Sequence, residues 1–209
     1  MNRSYPLKPF RIGSRSTICE VIRTYPLATL VSGEAGRAKI TLVPMLVDVD
    51  DRDDIVLTGH IDRNNDHREE LQAGGAISFQ FLGPDTYASP DLYPDSHLPG
   101  WLYVSVQGDG EVIEVLDETA MTTTLLRSST VFGGPAQQFV LDGDPRIDMF
   151  LPYVHGFRIR VTRISGIAKL AQDKGTVDSK IAMNFLARKD NAASRPLFER
   201  LLRESGVLD

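Results

Sequence analysis

The chain has 209 residues, 42% hydrophobic and 24% charged, with 17 glycines and 12 prolines, the composition of one ordinary globular domain. A formal charge of -5 and a sequence pI near 5.4 leave no broad basic face for a phosphate backbone, so direct nucleic-acid binding is not expected. The longest apolar runs, such as 77–82, fall far short of the roughly 20 residues that span a bilayer, and MNRSYPLKPF has no apolar signal core. A cytoplasmic protein without membrane association is therefore expected. The single cysteine, Cys19, has no disulfide partner in the chain and no neighbouring cysteine or histidine to share a metal. It reads as a small buried residue on a helix.

In chain order, Thr17 and Glu20 fit a capping box, and Ile18, Val21, Ile22 and Tyr25 behind it have helical spacing up to the stop at Pro26. The period then changes, and strands are predicted over 27–32, 38–47 and 55–61, with an acidic turn at 50–54. A polar helix capped by Asn65 is expected over 65–72, followed by a half-buried strand over 76–82 with Ile77, Phe79 and Phe81 inward. Residues 83–99 show no period, only four prolines, three aspartates and two tyrosines. A connection of that length reads as a functional lid. A long strand over 100–115 has Leu102, Val104 and Val106 on one face and Trp101, Tyr103, Ser105 and Gln107 on the other, with a bulge suggested at 108–110. Helices over 117–129 and 144–151, one more strand with Phe157, Ile159 and Val161 inward, and two closing helices complete the chain. Short links and the lack of βαβ repetition predict a mainly β (α+β) fold. Its expected form is a six-stranded antiparallel barrel in a single domain, 1–209, with C-terminal helices at about 176–209.

Hydrolytic and metal chemistry find little support. His60, His67, His97 and His155 lack HxxxH or HxH spacing, no GxSxG occurs, and Asp85, Asp91 and Asp95 lack the ligand order of a calcium loop. The segment 58–65 leaves a strand for a helix, so backbone N–H groups and the Arg63 guanidinium can converge on a phosphate. Equally, Asn65 can simply cap the helix while Arg63 pairs with Asp62 or Asp66. The Trp101, Tyr103, Ser105 and Gln107 face suits a flat cofactor, but also packing under the 83–99 segment or a subunit interface. The run 169–175 offers Lys169, Gln172 and Lys174, or is a solvated turn.

Taken together, GHIDRNN at 59–65, FLGPDTYASPDLYP at 81–94, GWLYVSVQGDG at 100–110 and GFRIRVTRISGIAKLAQDK at 156–174 resemble the PaiB-like FMN-binding family, named for negative transcriptional regulators. The most specific matches are Gly83, Pro84, Tyr87, Ser89, Pro90 and Tyr93, then Lys169, Leu170 and Gln172. The resemblance implies an FMN-binding split barrel similar to pyridoxamine 5'-phosphate oxidase, a homodimer with FMN between subunits. It places Arg63, Asn65 and Lys174 at the phosphate and Trp101 and Tyr103 at the ring wall, with His60, Tyr87, Ser89, Lys169 and Gln172 as further cofactor contacts. No catalytic residue is assigned. The chain departs from the family pattern at Leu42, Leu102 and Gln107, where asparagine or histidine is usual, at Asp66 in place of proline, and at Asp173 and Lys174. These departures imply weaker flavin binding. They leave open two alternatives: a regulatory or interaction protein that has lost or weakened the cofactor, and a barrel holding another flat ligand such as haem.

Overall fold

Ser14, rather than Thr17, starts the first helix, α1 (Arg15–Thr24). Its hydroxyl accepts from the Thr17 N–H at 3.1 Å from an extended backbone, as an N-cap requires. Thr17 instead turns its hydroxyl to Glu204 at 2.5 Å, and Glu20 pairs with Arg200 at 2.7 Å. Tertiary partners therefore decide the cap. Cys19 is buried on this helix, as expected. The computed structural model describes residues 6–33, 37–95, 97–133, 143–190 and 192–209.

Among the described residues seven strands follow, one more than expected: β1 (Leu27–Ser32), β2 (Lys39–Pro44), β3 (Leu46–Val49), β4 (Ile55–Asp62), β5 (Ala76–Ala88), β6 (Gly100–Val115) and β7 (Val154–Lys169). They lie in the order β2-β1-β5-β6-β7-β4-β3. The extra strand arises because the apolar run 38–47 breaks at Met45, whose N–H turns to the Pro26 carbonyl at 2.8 Å. Pro44, which has no N–H, ends β2 at one edge of the sheet, where proline is tolerated, and β3 joins the opposite edge. Only Met45 separates the two edge strands along the chain, in keeping with the expected split barrel. Pairing is antiparallel throughout β1–β2, β3–β4 and β4–β7, with Thr29 opposite Leu42 and Gly59 opposite Phe157.

Two further expectations are corrected. The polar helix over 65–72 is only a 3-10 turn, Asp66–Glu69, capped by Asn65. The strand expected to end at 82 continues to Ala88, and a 3-10 turn follows at Pro90–Leu92, so the first part of the aperiodic segment is regular structure. The strand around Phe157 runs 16 residues. No break appears in β6 at 108–110. Gly108 serves there for close approach, since a Cβ would stand 2.2 Å from the Arg163 carbonyl oxygen.

The chain forms two compact units. One gathers the segments up to Tyr25, Gln80–Gln107 and from Ile164 on; the other gathers Pro26–Phe79 and Gly108–Arg163. In the first, α5 (Arg195–Glu204) packs on α1 and on α4 (Thr176–Lys189) through Leu197, Phe198, Leu201 and Leu202. In the second, Leu30, Val43, Leu57, Phe157 and Ile159 form the buried centre, flanked by α2 (Glu118–Gly133) and α3 (Pro145–Phe150).

Candidate functional site

The end of β4 carries three of the expected residues. His60 is half-buried opposite Gly156, and burial holds its imidazole below the ordinary pKa of 6.5. Arg63 is exposed just beyond the strand. Its N–H donates to the Tyr153 carbonyl at 2.8 Å, and its guanidinium leans on the Val154 carbonyl through Nη2 at 3.2 Å and Nε at 3.4 Å. Of the two readings of Arg63, pairing with Asp62 or Asp66 is replaced by a carbonyl contact. Asn65 caps the 3-10 turn, its Oδ1 accepting from the His67 N–H at 2.9 Å. The hollow that Arg63 lines with Leu116, Met121 and His155 is about 60 Å³. A space of that size holds a small group, not a three-ring system.

In the other unit, Trp101 on β6 and Tyr87 near the end of β5 meet edge to face, ring centroids 6.1 Å apart. The indole is 49% exposed and its Nε1 donates to Asp85 Oδ1 at 2.7 Å, so one partner fixes the ring while a face stays open. Tyr103 lies two residues further on the same strand, half-buried. Ser89 leads into the 3-10 turn Pro90–Leu92, its carbonyl accepting from the Leu92 N–H. Lys169 ends β7, half-buried. Lys174 Nζ stands 5.6 Å from the centre of the Tyr93 ring, a cation–π contact. Gln172 is committed locally: its Nε2 donates to the Ala168 carbonyl at 2.6 Å and its Oε1 accepts from the Leu170 N–H at 2.7 Å. That amide holds the turn carrying Lys174.

The departures from the family pattern are not equivalent. Leu102 is buried with Val104 and Val106, on the strand face opposite Trp101, so an aliphatic residue there suits the core and removes no polar contact from the Trp101 side. Leu42 is 63% exposed on β2, and Gln107 is exposed on the Trp101 face of β6.

Several polar contacts escaped the sequence reading. Asp85 beneath Trp101, the 2.7 Å pair of His97 Nε2 with Asp178, and the contacts of His67 with Ser32 and Thr41 join residues far apart in the chain. No local spacing signals them. Among the described residues, no group of three or more His, Cys, Asp or Glu is placed to hold a metal, and no helix is long and apolar enough to cross a membrane.

His67 also carries a pH expectation. Burial lowers its pKa, and Lys39 adds to this against the opposing pull of Glu70 and Asp66. The folded state therefore binds a proton less readily than the unfolded one. Stability is fully present above the unfolded value of 6.5 and is lost as pH falls through the lower folded value. In urea titrations at pH 7 and pH 5, His67→Gln should remove part of this loss. An unchanged pH dependence would show that His67 titrates alike in both states.

The family model described as "Putative FMN-binding domain" matches residues 4–163. The chain belongs to this FMN-binding family. Its cofactor is FMN, in agreement with the expectation from sequence. The chain is 24% identical over 204 residues to Protease synthase and sporulation protein PAI 2 of Bacillus subtilis, covering 93% of this chain and 95% of the relative, which makes it PaiB-like. The FAD and haem binding protein of Mycobacterium smegmatis superposes with a TM-score of 0.60 at 15% identity, over 76% of this chain and 73% of that one. A flavocytochrome of Azotobacter vinelandii gives 0.57 at 12%, over 76% and 69%. These likenesses agree with the fold: an antiparallel flavin-binding split barrel with flanking helices.

The donor set fits FMN in kind. An exposed guanidinium with a neighbouring amide suits a phosphate, and a half-exposed indole held at its N–H suits a flat ring.

Proposed function

We propose that the protein is an FMN-binding homodimer of the PaiB-like kind in which Arg63 and Asn65 serve the phosphate, and Trp101 with Tyr87 and Tyr103 the ring. Lys169 and Lys174 are further cations for the cofactor, His60 and Ser89 further polar contacts, and Gln172 acts by holding the turn. When bound, FMN supplies hydride or electron transfer, and the protein supplies binding and electrostatics. The observation that carries this reading is the preset aromatic pair, Trp101 anchored on Asp85 with Tyr87 against its edge. Such a wall needs little ordering when a flat ligand arrives.

Changing Arg63→Ala should lower FMN affinity about 10- to 100-fold, as expected for losing a charge-assisted hydrogen bond of about 1.5–3 kcal/mol. Riboflavin, with no phosphate, should bind nearly as before. Arg63→Lys keeps the charge without the fork and should fall between. Equal losses for both ligands, or none for either, in fluorescence titrations would remove Arg63 from the phosphate site.

Support for a homodimer comes from apolar side chains left in water, among them Leu98 and Trp101 in one unit and Ile40 and Leu42 in the other. Sedimentation at micromolar concentration should give a dimer; a monomer would overturn this assignment.

A second reading, a regulatory protein that works without turnover, is favoured by the exposed Leu42 and Gln107 where the family pattern has histidine, and by the likeness to a sporulation protein of Bacillus subtilis. Regulation would then pass through a metabolite or a protein partner, since a chain of charge -5 offers no phosphate footprint. The absorption spectrum of the freshly purified protein separates these readings from a haem site, which would show a Soret band.

A further inference from the structure

Ser32, His67 and Thr41 form a hydroxyl–imidazole–hydroxyl chain that the flavin reading does not use. His67 is wholly buried. Its Nε2 lies 2.7 Å from Ser32 Oγ and its Nδ1 3.0 Å from Thr41 Oγ1. Its backbone N–H is held by Asn65 Oδ1, so both the ring and its anchor are fixed. Ser32, at the end of β1, also lines an open groove of about 890 Å³ whose wall includes Arg37, Ser78, Glu111 and Thr162. We propose that Ser32 is a nucleophile activated by His67, and that the groove accepts aryl and other activated carboxylic esters.

Nucleophilic catalysis by serine needs a hydroxyl within reach of a neutral base, a third group that orients the base, and room beside the hydroxyl for an acyl group. All three are present. In the working tautomer His67 Nδ1–H donates to Thr41 Oγ1, and the Nε2 lone pair accepts the Ser32 hydroxyl. Burial keeps the imidazole neutral near pH 7. Lys39 acts in the same direction, while Glu70 and Asp66 pull toward protonation.

The Ser32 proton passes to Nε2 as Oγ bonds to the acyl carbon. The ester C–O bond then breaks, and the leaving oxygen departs with the proton from Nε2. Water, giving a proton to the same nitrogen, attacks the acyl-serine, and that proton returns to Ser32 Oγ as the carboxylic acid leaves. Arg37 gives the groove a cation suited to negative charge on the acyl oxygen. Thr41 is uncharged and stabilises an imidazolium less than a carboxylate would. This restricts the site to esters with good leaving groups and excludes peptides.

The test uses the full chain and p-nitrophenyl acetate. A burst of nitrophenolate is expected, with acetyl found on Ser32 by peptide mass spectrometry and both absent from Ser32→Ala. His67→Gln should slow acylation of Ser32 about 100-fold or more, the scale of general-base catalysis, and Thr41→Val should slow it less. In the wild type the acylation rate should fall as pH drops through a midpoint below 6.5. Unmodified Ser32, or acylation as fast in His67→Gln as in the wild type, would overturn the proposal. If His67→Gln does not fold, the wild-type profile decides: a rate indifferent to protonation of His67 means that the chain of hydroxyls only staples the β1–β2 hairpin.

Discussion

Phe157→Ala is expected to lower the free energy of unfolding by about 3–5 kcal/mol, the range for truncating a wholly buried aromatic side chain. Phe157 has no exposed surface and sits on β7 opposite Gly59 of β4. The glycine contributes no side chain, so the ring fills space that no cross-strand neighbour can take over. Met45 and Val43 already crowd that position, since a Cβ on Gly59 would stand 2.4 Å from Met45 Sδ, and they have little freedom to close a void. On the other side, His155 is tied to the Leu71 carbonyl at 2.9 Å and cannot swing in without losing that bond. Urea unfolding should show a lower midpoint at unchanged slope. A loss below about 1 kcal/mol would mean that the sheet collapses onto the cavity more freely than close packing allows.

Glu204→Ala should cost about 1–3 kcal/mol at pH 7, the lower part of the range because the carboxylate is partly exposed and solvent screens it. Near the end of α5, this group accepts from Ser14 Oγ at 2.7 Å, Thr17 Oγ1 at 2.5 Å and the backbone N–H groups of Gly13 and Ser14 at 3.2 and 3.4 Å. It therefore ties the C-terminal helix to the first turn of α1, where a negative charge also meets the positive helix end. Burial alone would raise its pKa, but the hydrogen bonds from Thr17, Ser14 and Gly13 together outweigh that and hold it below the ordinary 4.5. The stabilisation is fully present above 4.5 and is lost as pH falls through the lower folded value. Wild-type and variant stabilities should accordingly converge in acid. A gap that persists at pH 2 would assign the effect to packing of the side chain rather than to its charge.

The separate behaviour of local and distant contacts explains which parts of this molecule were readable. The alternation of Leu102, Val104 and Val106, the helical spacing of Ile18, Val21 and Ile22, and Pro196 ahead of Leu197 and Leu201 are periods of two or 3.6 residues. They report the buried face directly, and the structure buries each of those aliphatic residues. The mainly β antiparallel class follows from the same local signals. By contrast, the break at Met45 depends on the Pro26 carbonyl, the cap at Ser14 on Glu204, and the anchoring of Trp101 on Asp85. In β7 the inward run Phe157, Ile159 and Val161 is visible, but the strand's reach from Val154 to Lys169 is set by hydrogen bonds to neighbours that no window contains.

The candidate site divides in the same way. Arg63 and Asn65 were legible because a strand leaving for a capped turn is a local pattern, and Trp101 and Tyr103 because they alternate on one strand. That Gln172 spends its amide on two backbone groups and that Ser32 meets His67 were not. The amino-acid sequence alone determines the strand and helix periods, the charge that disfavours nucleic acid, and the motifs of an FMN-binding family. Tertiary structure alone decides which polar groups are satisfied and which remain open to a ligand. A side chain's partner is chosen by distance in space, and hydrogen bonds act over about 3 Å whatever the separation along the chain.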